Sequence, residues 1–106
     1  MKAYTSLVQS QILAVILPLE SADMFWLVLG NTPYVHVLTE PLSNYSQWEN
    51  YPCWSLAALL DVLPYPQLKQ NYKGKWCCIT EYVWEADNPV DACVEMIKKL
   101  HELKLL

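Results

Sequence analysis

Apolar positions at the C-terminal end of the chain recur with the period of a helix. Asn88 followed by Pro89, with Asp91 three positions after Asn88, is a typical helix start. The residues that follow divide into an apolar stripe and a charged opposite face, so we predict an amphipathic helix that begins at Pro89. The apolar stripe, expected to face the core, consists of Val90, Cys93, Val94, Ile97, Leu100 and His101.

Another helix is predicted near the start of the chain, over residues 6–17. Thr5 or Ser6 can cap it, and Pro18 stops it. Its second half is apolar on every side, a pattern typical of deep burial, of contact with a partner, or of a buried strand. All three alternatives stay open. Helical spacing places one set of residues on a common face: Val8, Ile12 and Val15.

Two short apolar runs around a turn predict a β-hairpin. The first run covers residues 24–29, and residues 33–38 alternate valines with other side chains. Gly30 and Asn31 provide turn residues between them. Because Pro33 cannot donate a hydrogen bond to a strand ladder, we expect the turn to be longer than two residues.

Residues 39–53 combine turn-forming residues with aromatic side chains and show no period. We predict a long loop that carries Tyr45, Trp48 and Tyr51. Exposed aromatic side chains in a loop are typical anchors for a protein partner. A loop folded down over the sheet explains them equally well, so exposure and packing both stay open.

A short helix and a strand follow. Ser55 caps the helix, whose leucines fall on one face, and two prolines end it. We predict a second connection over residues 64–75 and a strand over residues 76–84. Alternation within that strand places Trp76 and Trp84 at opposite ends of one face, where they could form an aromatic surface for self-association.

The element order α-β-β-α-β-α predicts an α+β fold, in which three helices pack on a small antiparallel sheet made of the hairpin and at least one later strand. A length of 106 residues suits one domain, so we assign residues 1–106 to a single domain. The longest apolar run, residues 12–19, is far shorter than the roughly 20 residues that span a bilayer, and we predict no membrane partner.

Charge argues against nucleic acid as a partner. All seven basic residues are lysines, and with eleven carboxylates the net charge is −4. Phosphate binding needs clustered basic residues, and base recognition uses the arginine fork, which this chain lacks. We therefore predict no nucleic-acid binding, and instead a protein partner or self-association.

The four cysteines and two histidines show no metal-site spacing. Cys77 and Cys78 are neighbours on the predicted strand, so their side chains point to opposite faces and cannot bind one ion together. With two glycines in the whole chain, a phosphate-binding loop is not expected either. We predict no metal, no cofactor and no catalytic residue, and cysteines kept reduced in the cytoplasm.

Glu81 is the basis of an alternative function. On the predicted strand it shares a face with Cys77, Ile79 and Val83. On a buried face Glu81 would have a raised pKa or a lysine partner, whereas on an exposed face it is unremarkable. The alternative is therefore a small ligand-binding or hydrolytic domain that uses Glu81 with a nearby cysteine or histidine.

Four segments of the chain together form a recognisable set of motifs. They are residues 22–26 (ADMFW), 52–60 (PCWSLAALL), 74–76 (GKW) and 87–96 (DNPVDACVEM), of which the last is the most specific. On these segments the chain resembles a large family of small uncharacterised proteins encoded in phages and mobile elements of anaerobic gut bacteria. The resemblance implies a phage or mobile-element origin and an intracellular location, and it carries over no catalytic residue.

The sequence as a whole favours a non-enzymatic, cytoplasmic protein-interaction or accessory factor. Its aromatic residues supply the candidate interaction surface. Trp54 lies beside a predicted helix, so packing in the core is expected for it as well. The candidate surface consists of Tyr45, Trp48, Tyr51, Trp54 and Trp84.

Overall fold

The computed structural model describes residues 2–37 and 49–106. These residues form an α+β fold, as predicted, with three α-helices and two three-stranded antiparallel sheets. The helices are α1 (Leu7–Ile16), α2 (Leu56–Val62) and α3 (Pro89–Glu102), with a 3-10 turn at Leu19–Ser21. The strands are β1 (Met24–Leu29), β2 (Thr32–Val37), β3 (Glu49–Cys53), β4 (Gln67–Gln70), β5 (Trp76–Ile79) and β6 (Val83–Ala86).

The predicted element order and the single sheet are wrong. Along the described residues the order is α1-β1-β2-β3-α2-β4-β5-β6-α3, and the strands divide into one sheet with the order β2-β1-β3 and another with the order β4-β5-β6. Two of these strands, β3 and β4, lie in segments predicted as loops. Their short and mostly polar sequences, ENYPC and QLKQ, show no strand period that would have revealed them.

The strand predicted over residues 76–84 is a hairpin. The chain reverses after β5, where the Thr80 amide donates a hydrogen bond to the Tyr82 carbonyl at 2.8 Å. The apolar alternation runs on through this turn, which is why periodicity alone does not reveal it. Trp76 and Trp84 therefore share one sheet face on adjacent strands, instead of standing at the two ends of one strand.

The β1–β2 hairpin is confirmed, but its turn contains only Gly30 and Asn31, because Leu29 pairs with Thr32. Gly30 has the positive φ of +60° that such a turn requires. The pair beside a two-residue turn is hydrogen-bonded and the next pair is not, so the Pro33 nitrogen points away from β1. Since β2 is an edge strand, the missing donor disturbs no ladder, and the expected longer turn is not needed.

α3 lies at the centre of the hydrophobic core, with α1, α2, β5 and β6 packed around it. Because it is covered on more than one side, Ala92 and Met96 are buried together with the predicted stripe. His101, which the prediction placed in that stripe, is exposed. Other elements add further buried residues to the core: Leu13, Leu17, Trp54, Leu59, Leu63 and Cys78.

No helix within residues 2–37 and 49–106 is both long and apolar enough to cross a membrane.

Candidate functional site

α1 turns an apolar face to the outside of the protein. Ser10 and Leu13 on its inner face are completely buried. On the outer face the exposed fractions are 65% for Val8, 38% for Ile12 and 85% for Val15. We call these three outward residues the α1 stripe.

A buried polar cluster around Thr5 explains why a serine lies on the inner face. The hydroxyl oxygens of Thr5 and Ser10 are 2.8 Å apart, and both side chains are completely buried. Thr5 Oγ1 also accepts a hydrogen bond from the Trp54 amide at 3.2 Å, and the Thr5 carbonyl accepts one from Trp26 Nε1 at 3.1 Å. Because these buried groups satisfy one another, Ser10 can point inward and hold α1 in this rotation.

A second set of contacts ties the N-terminal ends of α1 and α3 together. Gln9 Nε2 and Lys2 Nζ both donate to Asp91 Oδ1 at 2.8 Å, and Lys2 also donates to Gln9 Oε1 at 2.7 Å. Partial burial acts to raise the pKa of Asp91, but its side-chain donors, Lys2 first among them, outweigh that effect and hold the pKa below its ordinary value. Asp91 is therefore a charged anchor that fixes how α1 is rotated.

The α1 stripe borders an open groove of about 310 Å³ between α1, β6 and α3. Ile12, Ile16 and Trp84 are its apolar lining residues, and Trp84 is 37% exposed. Apolar residues beside a polar, charged margin are the usual composition of a protein-docking surface. The margin comes from α3 and holds two ion pairs: Glu95 with Lys98 at 3.4 Å and Lys99 with Glu102 at 3.7 Å.

Glu81 lies in a different place, in the exposed turn between β5 and β6, and lines a pocket of about 390 Å³. It is not on a strand face, so the predicted alignment with Cys77, Ile79 and Val83 is wrong. The described residues that line this pocket include neither cysteine nor histidine. They are Pro64, Tyr65, Thr80, Glu81, Leu100 and Leu105.

The four cysteines all lie in the described part of the chain and are free thiols, three of them buried. Cys78 of β5 and Cys93 of α3 are hydrogen-bonded to each other, and this bond together with burial raises the pKa of Cys93 far above its ordinary value. Burial likewise raises the pKa of Cys53, whose thiol contacts Thr5. A thiol that solvent cannot reach is a poor nucleophile, so the three buried cysteines act as small apolar side chains of the core.

Metal binding requires several ligands at one point. Within the two described ranges, no group of three or more His, Cys, Asp or Glu side chains is placed to hold a metal ion.

The five residues of the predicted aromatic surface do not lie together on one described surface. Tyr45 and Trp48 lie outside the described residues. The prediction that their loop is either packed or exposed therefore stays open. Tyr51 is half-buried in β3, with its hydroxyl donating to Glu49 Oε1 at 3.1 Å. Trp84, which the structure also describes, lines the open groove beside α1.

The prediction that Trp54 belongs to an exposed interaction surface is wrong. The alternative expectation, that Trp54 packs in the core, is confirmed. Its side chain is completely buried, and its Nε1 donates to Ser21 Oγ at 2.9 Å. The physical reason is its position at the junction of β3 and α2, where the chain enters the core.

The α1 stripe is absent from the predicted site residues. The signal for it in the sequence is a ten-residue helix that is apolar on nearly every side and carries no charge. Such a pattern is typical of deep burial or of contact with a partner, and the sequence does not distinguish the two.

Comparison with known proteins finds no relative of this chain. No protein-family model, no curated protein and no solved structure matches the chain. The resemblance to phage and mobile-element proteins therefore stays a prediction.

Proposed function

We propose that this chain is a non-enzymatic protein-interaction factor that pairs with a second copy of itself through the α1 stripe. The observation that carries the proposal is the exposure of three branched apolar side chains, Val8, Ile12 and Val15, on an uncharged helix. Single exposed apolar residues are ordinary on protein surfaces, whereas a contiguous group of them marks a contact site.

A second copy fits because the α1 stripe is complementary to itself. In an antiparallel pair of α1 helices with a two-fold axis at Ile12, each Ile12 meets its counterpart, and each Val8 meets Val15 of the other copy. These side chains are similar in size, and none is charged. Two acidic molecules, each with a net charge of −4, can therefore meet at this face without placing like charges in contact.

The charged face of α3 is a poorer centre for such a pair. Its charges follow the order Glu95, Lys98, Lys99, Glu102, which reads the same in both directions. An antiparallel pair of α3 helices would place glutamate opposite glutamate and lysine opposite lysine, and like charges in contact oppose association. A contact centred on α1 leaves the α3 charges in the ion pairs they already form.

The size of the surface sets the expected strength of the pair. α1 has ten residues, which corresponds to a length of about 15 Å. Two helices of that length bury less than the roughly 1,200 Å² of a stable complex, so we expect a dissociation constant in the range of tens of micromolar or weaker. Ile16 and Trp84 in the adjoining groove extend the contact.

Sedimentation equilibrium tests the proposal on the full chain. We expect the average mass to rise from that of one chain toward that of two between about 10 μM and about 1 mM, the range in which so small an interface associates. A chain that stays monomeric throughout would refute the proposal. Open-ended growth beyond two copies would also refute it, because a two-fold contact closes at the dimer.

A phage or mobile-element origin and a cytoplasmic location belong to the same proposal. The first is supported by the motifs of the sequence, above all residues 87–96. The second is supported by the four free cysteines, since a reducing compartment keeps thiols in that state. Cell fractionation of the native host tests the location, and recovery outside the cytoplasm would contradict it.

A further inference from the structure

The Pro-Tyr-Pro turn after α2 presents an aromatic ring in a constrained way. Tyr65 lies between Pro64 and Pro66, has a φ of +47°, and has a side chain that is 96% exposed. A positive φ is uncommon for a bulky residue, and each neighbouring proline restricts the backbone further. Strained positions of this kind are concentrated at ligand sites. The backbone therefore places this ring at the surface beside the pocket that Tyr65 helps to line.

The pocket beside this ring has the size and lining of a small-ligand site. Its volume of about 390 Å³ lies in the usual range for such sites. Pro64, Leu100 and Leu105 give it apolar walls, and Glu81 is the one charged residue among the described residues that line it. Within the part of the chain that the structure describes, no hydrogen bond or ion pair engages the Glu81 carboxylate.

Two other polar groups at the pocket, the Thr80 hydroxyl and the Leu100 carbonyl, are already hydrogen-bonded within the protein. The Thr80 hydroxyl is already used, since it accepts from the Tyr82 amide at 3.3 Å and donates to Met96 Sδ at 3.4 Å. α3 ends at the pocket, where the Leu100 carbonyl accepts from the Leu105 amide at 2.8 Å. Glu81 is therefore the group among the described lining residues that can attract a charged ligand, and its negative charge selects a cation.

We infer that this pocket binds an amphipathic ammonium ion, that is, a primary or quaternary ammonium group on a short hydrocarbon chain. The carboxylate of Glu81 attracts the cationic group, and the face of the Tyr65 ring adds a cation–π contact. The hydrocarbon chain covers Leu100 and Leu105. This binding site is separate from the α1 stripe and does not depend on self-association.

Amide chemical shifts of the full chain during titration test the site, with hexyltrimethylammonium as the probe. We expect saturable shifts at residues 65, 80–82 and 100–105, and none of comparable size with hexanoate or 1-hexanol, which share the chain but not the charge. If hexanol or hexanoate binds as well as the cation, the inference is overturned, because the pocket then recognises hydrocarbon alone.

Four variants separate the two recognition elements. Glu81→Gln and Tyr65→Ala should each weaken binding of the probe by roughly fivefold, the effect of losing one partly solvated cation contact. Tyr65→Phe retains the aromatic face and should bind as the native chain does. Glu20→Gln removes the same charge from an exposed site elsewhere and should have no effect. Native-like binding by either Glu81→Gln or Tyr65→Ala, with the amide spectrum otherwise unchanged, would overturn the inference.

Discussion

Gln9 Nε2 donates a 2.8 Å hydrogen bond to Asp91 Oδ1, which lies 82 positions later in the chain. The bond joins the first turns of α1 and α3, and the Lys2 ammonium group reinforces it with a contact to the same oxygen. Since the inner side of α1 also holds the polar pair of Thr5 and Ser10, polar contacts decide the rotation of this apolar helix. The consequence is an exposed apolar face.

Changing the α1 stripe should abolish most self-association. We expect Val15→Glu to weaken the dimer by at least about tenfold, or ~1.4 kcal/mol, because the new carboxylate would be buried against Val8 of the other copy. The monomer should fold normally, since this position is 85% exposed. Ala57→Glu adds the same charge at an exposed site of α2 and is the matched control in sedimentation equilibrium. Equal weakening by both variants would show that net charge, and not the stripe, controls association.

Removing the charge of Asp91 should lower stability in a pH-dependent way. The pKa of Asp91 is below its unfolded value, so its charge stabilises the fold above about pH 4, and this contribution is lost as the pH falls through the lower, folded-state pKa. We expect Asp91→Asn to reduce the free energy of unfolding by about 1 kcal/mol at neutral pH. Urea unfolding should show a smaller difference near pH 2.5.

The control for that series is Asp61→Asn, which removes an exposed carboxylate from α2. It should change the free energy of unfolding by less than about 0.5 kcal/mol at either pH. A difference between native chain and Asp91→Asn that stays constant with pH would show that shape alone, and not charge, makes Asp91 an anchor.

Thr5→Val tests the buried polar cluster with almost no change in volume. The variant leaves the Ser10 hydroxyl and the Trp54 amide without their partner in a buried place. We expect a loss of about 1–3 kcal/mol in the free energy of unfolding, measured by urea denaturation. Thr32→Val makes the same chemical change at an exposed strand position and should be nearly neutral. Equal stability of the two variants would mean that the cluster does not hold α1.

The thiols should differ sharply in reactivity. Cys77 is partly exposed, and Cys53, Cys78 and Cys93 are buried. We expect one thiol to react quickly with Ellman's reagent in the folded protein and the other three only after unfolding, because the reagent cannot reach buried cysteines. Cys77→Ser should remove the fast reaction. Its persistence in that variant would place a buried thiol at the surface.

α3 shows what local patterns can establish without a structure. Its start is marked by Asn88, whose Oδ1 accepts from the Asp91 amide at 2.8 Å, and by Pro89 in the first turn. These signals depend on neighbours within one turn, so the chain carries them wherever the helix is placed. The apolar stripe is also local, and burial confirms it apart from His101.

The second sheet shows where such patterns fail. A strand becomes a strand when a partner accepts its hydrogen bonds, and Gln67–Gln70 has three polar residues of four and no period of its own. β5 is the partner that pairs with it. In the same way, the alternation across residues 76–84 does not distinguish one long strand from two short ones, because the turn at residues 80–82 is made by contacts between the two halves.

The sequence by itself determined the α+β class, the helices α2 and α3 with their caps, the β1–β2 hairpin and the core face of α3, since each follows from spacing and capping within a few residues. Only the tertiary structure decided the division into two sheets, the burial of Trp54 and the exposure of the α1 stripe. In an apolar helix such as α1, the spacing of residues does not show which face packs against the core. Its rotation depends on Thr5 and Asp91, which the fold alone brings to it.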